Sequence, residues 1–329
     1  MPETAPAAVP VARPQPAPDL LMGLERAWRG SQVHAVTAIP ESHSGFTYMV
    51  NAELEGQPLT AVLRLPPPGA RPVGPADVVR QARIMEALHA AGAPVPRILA
   101  SSAEPILDGR PFVLMERVEA LPLDEAIRAS PARDLIAAAY AAARGVHELA
   151  AERTGLGGEE AVSPRAEVER WQALRGRAPE DLLRHAPRLE ERLLAALPAP
   201  RTPALVHGDY HLGNLLFRDG AVVAILDWEI SELGQAPLDE AALCMVAVRS
   251  PFGEPHPGAE AALPLEEMIS LAGAPGDFDW YLAATCHKYA SILGYNLGLH
   301  RRGKRIDPVY EELVVTIPGL VGAGLRFLD

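Results

Sequence analysis

The sequence predicts an α+β protein in two lobes, a small N-terminal lobe built on an antiparallel sheet and a mainly helical C-terminal lobe. Three observations carry this expectation. Between residues 33 and 115 the apolar residues come in short β-branched runs separated by turn-formers. From Pro122 onward they recur at helical spacing. One interruption of that helical pattern, Ala204 to Trp228, returns to strand-like runs. The 329 residues are enough for two packed lobes, at roughly 100–200 residues per domain.

Residues 1–18 are rich in Pro and Ala, without the basic start and apolar stretch of a signal peptide, and predict a disordered, partly polyproline-like tail. Leu20 to Arg29 has the periodicity of a helix. Thr37-Ala-Ile, Thr47-Tyr-Met-Val and Thr60 to Leu65 follow as strands of a meander, with turns at Ser44-Gly45 and at Glu55-Gly56-Gln57-Pro58. Pro66-Pro67-Pro68-Gly69 ends the third strand, and Asp77 opens a helix to about Ala91, stopped by Gly92 and Pro94. Arg97 to Ala100 and Pro111 to Met115 complete a five-stranded sheet with one helix, so the first lobe is expected over 19–116 and the second over 117–329.

In the second lobe, Leu123 to Ala129, Ala132 to Leu149, Arg165 to Leu174 and Pro179 to Leu197 alternate apolar and charged faces as helices do. Leu205-Val206, Leu215-Leu216-Phe217 and Val222 to Leu226 read as strands, the last two joined by Asp219-Gly220, a pair that supplies the positive φ of a tight hairpin. Beyond Asp239 the pattern is helical again, with loops around Pro251 to Pro257 and Gly273 to Gly276.

A formal net charge of −12 repels phosphate backbones and anionic lipid, which removes nucleic acid and membrane surfaces from the expected partners. No apolar run reaches the ~20 residues a bilayer needs; Leu313 to Leu325 is broken by Pro318 and glycines. Cys244 and Cys286 lack metal-ligand spacing and suit a reducing cytoplasm rather than a disulfide framework.

The chemistry concentrates in Leu205-Val-His207-Gly208-Asp209-Tyr-His-Leu-Gly-Asn214 and in Asp227-Trp228-Glu229 at the end of the hairpin. Phosphoryl transfer needs a carboxylate beside the attacking hydroxyl and oxygen ligands that hold Mg²⁺ on the nucleotide phosphates. Asp209, Asn214 and Asp227 offer those groups in the order of eukaryotic-like kinases, with the hairpin folding the two metal ligands back towards each other.

With these motifs the chain resembles the aminoglycoside phosphotransferase and choline kinase-like family, whose fold is protein-kinase-like. Ser44-Gly45-Phe46-Thr47-Tyr48 resembles its phosphate-covering turn, Val62-Leu63-Arg64 its third strand and Phe112-Val-Leu-Met115-Glu116 its hinge. Val168 to Trp171 and the helix around Trp280 resemble its helical subdomain. The resemblance implies that Asp209 orients or deprotonates the acceptor hydroxyl, that His207 braces the loop, and that Asn214 and Asp227 bind Mg²⁺. It further implies that Gly45, Phe46, Arg64 and Gln81 lie at the nucleotide phosphates and that backbone groups of Met115, Glu116 and Arg117 hold adenine. Glu229 then shapes the site, and Asp239 stabilises the loop after the metal Asp, Asp227, or caps the following helix. ATP is the implied donor, with GTP left open, and a small-molecule hydroxyl the implied acceptor. No activation segment ending in an APE-like motif follows Asp227, so a protein acceptor is not expected; oligomeric state is not indicated.

The chain departs from the family where a Lys in the third strand usually pairs with a Glu in the small-lobe helix: here stand Arg64 and Gln81, with helical spacing turning Gln81 towards Arg64. That departure keeps a second class open, a nucleotide-binding pseudokinase with a regulatory role. A third class, a metal hydrolase, would use His207, Asp209 and His211 as alternate residues facing one side. Trp280, Tyr281, His287, Lys288, Tyr295 and Asn296 suit either an acceptor pocket or plain helix packing, and Arg301-Arg302-Gly-Lys304-Arg305 a solvated helix end. Because Asp209, Asp227 and Glu229 belong to the −12, the charge by itself does not select a cationic acceptor.

Overall fold

Turn-forming Gly residues set the hairpins of this chain. Its structure, a computed structural model, describes residues 18–39, 46–253 and 258–329. The expected tail, the Ser44-Gly45 turn and part of the Pro251–Pro257 loop lie outside the described residues. Two compact units are present: the residues up to Arg83 with Arg97–Arg117, and Ile84–Pro96 with Val118–Asp329.

In the first unit, helix α1 (Pro18–Ala27) precedes β1 (Ser31–Ala38), β2 (Phe46–Leu54) and β3 (Gln57–Leu65). Helix α2 (Val78–Ala90) starts there, and β4 (Ile98–Leu107) and β5 (Arg110–Glu116) complete an antiparallel sheet of order β1-β2-β3-β5-β4. Five strands are therefore present as expected. Glu55-Gly56 closes β2 on β3 and Asp108-Gly109 closes β4 on β5, each with both residues at positive φ, the geometry whose twist matches that of the flanking strands. The second of these hairpins is longer than the sequence suggested, because β4 runs on past Ala100 through polar, exposed residues that carry no apolar alternation.

Strand alternation puts Tyr48, Val50 and Ala52 of β2, Ala61, Leu63 and Leu65 of β3, and Phe112 and Leu114 of β5 into one core with Leu20, Leu24 and Trp28 of α1. Each fully buried Val, Leu or Phe side chain among them contributes about 1.5–3 kcal/mol. Arg64 lies between Leu63 and Leu65 and so belongs to the opposite face of β3.

The second unit contains α3 (Leu123–Ala126), α4 (Ala132–His147), α5 (Pro164–Arg175), α6 (Ala186–Ala195), the short strands β6 (Ala204–Val206), β7 (Leu215–Arg218), β8 (Ala221–Ile225) and β9 (Glu232–Gly234), then α7 (Pro237–Arg249), α8 (Leu265–Ala272), α9 (Phe278–Arg301), α10 (Val309–Glu312) and α11 (Thr316–Phe327). Strands β7 and β8 form the expected hairpin on Asp219-Gly220, both at positive φ. Strand β6 pairs antiparallel with β9, which three residues of Glu-Leu-Gly do not announce. The helix expected from Pro179 begins only at Ala186, with Pro187 in its first turn: a ring without N–H is tolerated there but would break a helix running through it.

Helix α9 is the axis of this unit. It packs against α5, α6, α7 and α11, and from Phe278 to Ser291 nearly every side chain is buried, as a helix surrounded on all sides must be. Trp280, Tyr281 and His287 are buried, so packing accounts for these residues. Among the described residues no helix is long and apolar enough to cross a membrane.

Candidate active site

Strand β6 delivers the chain to His207, and the backbone then turns at Gly208 with φ +85°. A Cβ there would lie 2.5 Å from the Ile230 carbonyl oxygen, so both the turn and the close approach require glycine. Beyond it the loop closes on itself. His211 N–H donates to the Asp209 carbonyl (3.1 Å), Asn214 N–H to the His211 carbonyl (2.9 Å), and Asn214 Nδ2 to the Asp209 carbonyl (3.0 Å). Leu226 N–H donates to the Asn214 carbonyl at 2.8 Å, which continues the β7–β8 ladder past Leu215↔Ile225 and sets Asn214 beside the residue that precedes Asp227. Asp227 itself takes φ +68°, a left-handed conformation that a non-glycine residue adopts only under surrounding constraint.

His207 is buried with 1% exposure and both ring nitrogens are used. Its Nδ1 accepts the Asp209 N–H (3.1 Å), so Nε2 carries the proton and donates to the Leu226 carbonyl (2.7 Å). One imidazole thus ties this loop to the end of β8. Its ring packs edge-on to Tyr210 and Trp228. Burial lowers its pKa against the opposing pull of Asp239, which keeps it neutral.

Asp239 does not cap α7. It sits inside the first turn, and its carboxylate accepts the backbone N–H of His207 (2.7 Å) and of Gly208 (3.0 Å) and contacts His147 Nε2 at 3.0 Å. From the other side, α9 holds the same loop: Lys288 Nζ donates to the Gly208 carbonyl, and the Tyr289 hydroxyl donates to Asp209 Oδ1 at 2.8 Å. Lys288 was among the candidate pocket residues; Tyr289 was not singled out. The signal available for both was the His287-Lys288-Tyr289 run set between apolar residues of α9.

Asp209 is half-buried, with its second oxygen Oδ2 at 3.6 Å from His211 Nε2. Burial pushes its carboxyl up, but His211, the Tyr289 hydroxyl and the Lys288 ammonium outweigh that and hold it well below the usual carboxylate range. It is ionised at any physiological pH.

Asn214 and Asp227 present hard oxygen donors. Because Asn214 Nδ2 is committed to the Asp209 carbonyl, its Oδ1 is the atom left for a cation, and an amide oxygen with a carboxylate suits Mg²⁺, which keeps waters and phosphate oxygens for its remaining positions. The metal hydrolase arrangement is not formed. His207 has no free ring nitrogen, His211 Nδ1 accepts the Gly213 N–H (3.1 Å), and among the described residues no group of three or more His, Cys, Asp or Glu is placed to hold a metal.

The remaining predicted residues lie in the first unit. Phe46 starts β2 opposite Leu65, under the Arg110 guanidinium. Arg64 pairs with Thr47 and Val113 across the sheet. Gln81 is buried on α2, and its Nε2 donates to the Pro75 carbonyl at 3.1 Å. Met115 pairs with Val62, the Glu116 N–H donates to the Arg97 carbonyl (2.9 Å), and the Arg117 N–H to the Thr60 carbonyl (3.1 Å). Two of the hinge donors are therefore already engaged within the sheet. Gly45 lies outside the described residues.

A sheet-based first unit, a helical second unit and a loop-and-hairpin of this layout define the class of kinase-type phosphotransferases. The model of the phosphotransferase enzyme family (APH) matches residues 35–267, and the chain belongs to that family. It is 32% identical over 193 residues to mouse acyl-CoA dehydrogenase family member 10, covering 56% of this chain and 18% of that protein. It is 27% identical over 261 residues to rat acyl-CoA dehydrogenase family member 11, covering 74% of this chain and 33% of that protein. The chain thus spans a third or less of the length of these two relatives. Among solved structures, a Ralstonia eutropha protein provisionally named an aminoglycoside phosphotransferase superposes with a TM-score of 0.73 at 22% identity, over 94% of this chain and 97% of that one. A thermostable variant of aminoglycoside phosphotransferase APH(4)-Ia, solved as a ternary complex with AMP-PNP and hygromycin B, gives 0.63 at 13% identity over 95% and 98%. The GDP complex of aminoglycoside 2'-phosphotransferase-IIIa gives 0.65 at 14% over 92% and 97%. These likenesses establish the protein-kinase-like fold.

Proposed function

We propose that this protein transfers the γ-phosphoryl group of ATP to a hydroxyl of a small molecule. The observation that carries the proposal is the loop 207–214 with its hairpin: an ionised Asp209 carboxylate on a loop that two helices hold, with the oxygens of Asn214 and Asp227 brought to the hairpin's end. The acceptor oxygen bonds to the γ-phosphorus as the bond to the ADP oxygen breaks, and the acceptor proton passes to Asp209. Asn214 Oδ1 and Asp227 would hold Mg²⁺, which supplies charge neutralisation on the phosphates. In the first unit, Arg64, Phe46 and Gly45 are assigned to the phosphates and the Met115–Arg117 segment to the base. AMP-PNP and GDP in the neighbouring structures support a purine nucleotide donor, with ATP the first choice and GTP the comparison. The reducing cytoplasm is the proposed compartment, where the buried free thiols Cys244 and Cys286 stay reduced.

The acceptor is to be sought by a coupled ADP assay with two chemistries foremost. Aminoglycosides follow from the structural neighbours. Hydroxylated acyl thioesters follow from the relatives named as acyl-CoA dehydrogenases, since a phosphoryl group needs a hydroxyl to land on. Asp209→Ala should cut transfer to a small residual rate and spare nucleotide binding; undiminished transfer by that variant overturns the proposal. The second reading, a nucleotide-binding pseudokinase, is favoured by Gln81, whose amide is bound to Pro75 and which offers no carboxylate. It predicts Mg·ATP binding without turnover of any acceptor or of water.

A further inference from the structure

We infer that Tyr289 is a positioning residue that fixes how the Asp209 carboxylate is turned towards the acceptor, an inference that rests on the assignment of Asp209 above. A carboxylate turns about its last bond, and the direction of its lone pairs turns with it. Here one oxygen, Oδ1, accepts from the Tyr289 hydroxyl at 2.8 Å, which favours a single setting of the carboxylate plane. The other oxygen, Oδ2, faces His211 and is the one left for the acceptor proton.

The neighbouring residue makes the hold precise. Lys288 is 5% exposed, its ammonium lies 5.1 Å from the centre of the Trp171 ring, and it donates to the Gly208 carbonyl. Consecutive residues of α9 therefore grip consecutive residues of the loop, one by its backbone and one by its side chain. Helix α9 is packed on several sides by other helices, so the phenol approaches from a rigid element, as positioning groups must. A hydrogen bond to an ionised acceptor is among the stronger ones. The hydroxyl also remains a donor, since burial and the adjacent Asp209 charge keep its proton on well above the ordinary tyrosine range.

The test is a double-variant cycle of Tyr289→Phe and Asp209→Ala, read by radiolabelled phosphoryl transfer with thermal unfolding as the fold control. Tyr289→Phe should lower kcat by roughly 10- to 100-fold, the scale on which small misplacements act, with KM for ATP and for acceptor unchanged. On the Asp209→Ala background it should cost nothing further, because its effect passes through Asp209 alone. Lys288→Met, which keeps contact with Trp171 and removes the other tie, should behave the same way. A Tyr289→Phe enzyme with unaltered kcat, or one that loses the same factor in both backgrounds, overturns the inference. Full turnover by Asp209→Ala would instead overturn the assignment of Asp209, so the two failures are distinguishable.

Discussion

The carboxylate of Asp239 receives the backbone N–H of His207 at 2.7 Å and that of Gly208 at 3.0 Å, although α7 and the loop are separated by the whole hairpin. The group is 2% exposed and lies in the first turn of α7, where the helix dipole favours negative charge. It thereby fastens the start of the 207–214 loop, while α9 fastens the Gly208 carbonyl and the Asp209 side chain.

Asp239→Ala leaves two buried N–H groups and His147 without their acceptor, and is expected to destabilise the protein by about 3 kcal/mol. Asp239→Asn keeps one acceptor oxygen and should lose less. Urea unfolding of both variants, with turnover measured at a temperature where each is folded, checks the order.

Burial pushes the His287 imidazole down to about 4, and that of His207 in the same direction. In the unfolded chain a histidine titrates near ~6.5. Between that pH and about 4 the unfolded state binds a proton that the folded state refuses, so stability is full above the unfolded value and is lost as pH falls. His287→Leu should remove up to about 3 kcal/mol of that pH dependence. A pH series of unfolding free energies for both proteins reads it directly; parallel curves would contradict it.

Gly208→Ala meets both a positive φ and the Ile230 carbonyl oxygen 2.5 Å from the new Cβ. Backbone cannot yield as a flexible side chain would. A cost of at least about 2 kcal/mol is expected, together with loss of turnover from displacement of Asp209. Thermal unfolding and a single-turnover assay test the two effects separately.

Asp227 pairs its proposed metal role with a left-handed backbone. Asp227→Ala and Asp227→Gly should both lose Mg²⁺-dependent nucleotide binding, measured by calorimetry with and without the cation. They should differ in stability, the glycine variant being firmer by about 1 kcal/mol, because only the alanine carries a Cβ into that conformation.

Much of the architecture was legible because its signals are local. The hairpin at Asp219-Gly220 announces itself by a turn pair at positive φ, and the sheet by β-branched runs between turn-formers. What escaped was short or interrupted. Strand β9 has only three residues, too few for alternation, and is made by pairing with β6. Helix α6 starts late because Pro187 is admissible in a first turn and nowhere deeper.

The motif residues themselves, His207, Asp209, Asn214 and Asp227, stand in the sequence at a spacing that already specifies a loop and a hairpin, since a few residues and one tight turn determine where they meet. Their fastening does not. Asp239 reads as a support of the loop after Asp227 or as a helix cap until its carboxylate is seen on the 207–214 loop, Lys288 as pocket lining or packing until α9 is seen behind that loop, and Tyr289 is not singled out at all. Contacts between residues tens of positions apart depend on how helices stack, and helical periodicity tells which face is apolar but not which loop a buried polar group will find. The sequence by itself determined which groups are proposed to react and their order along the chain; the tertiary structure alone decided what holds them still.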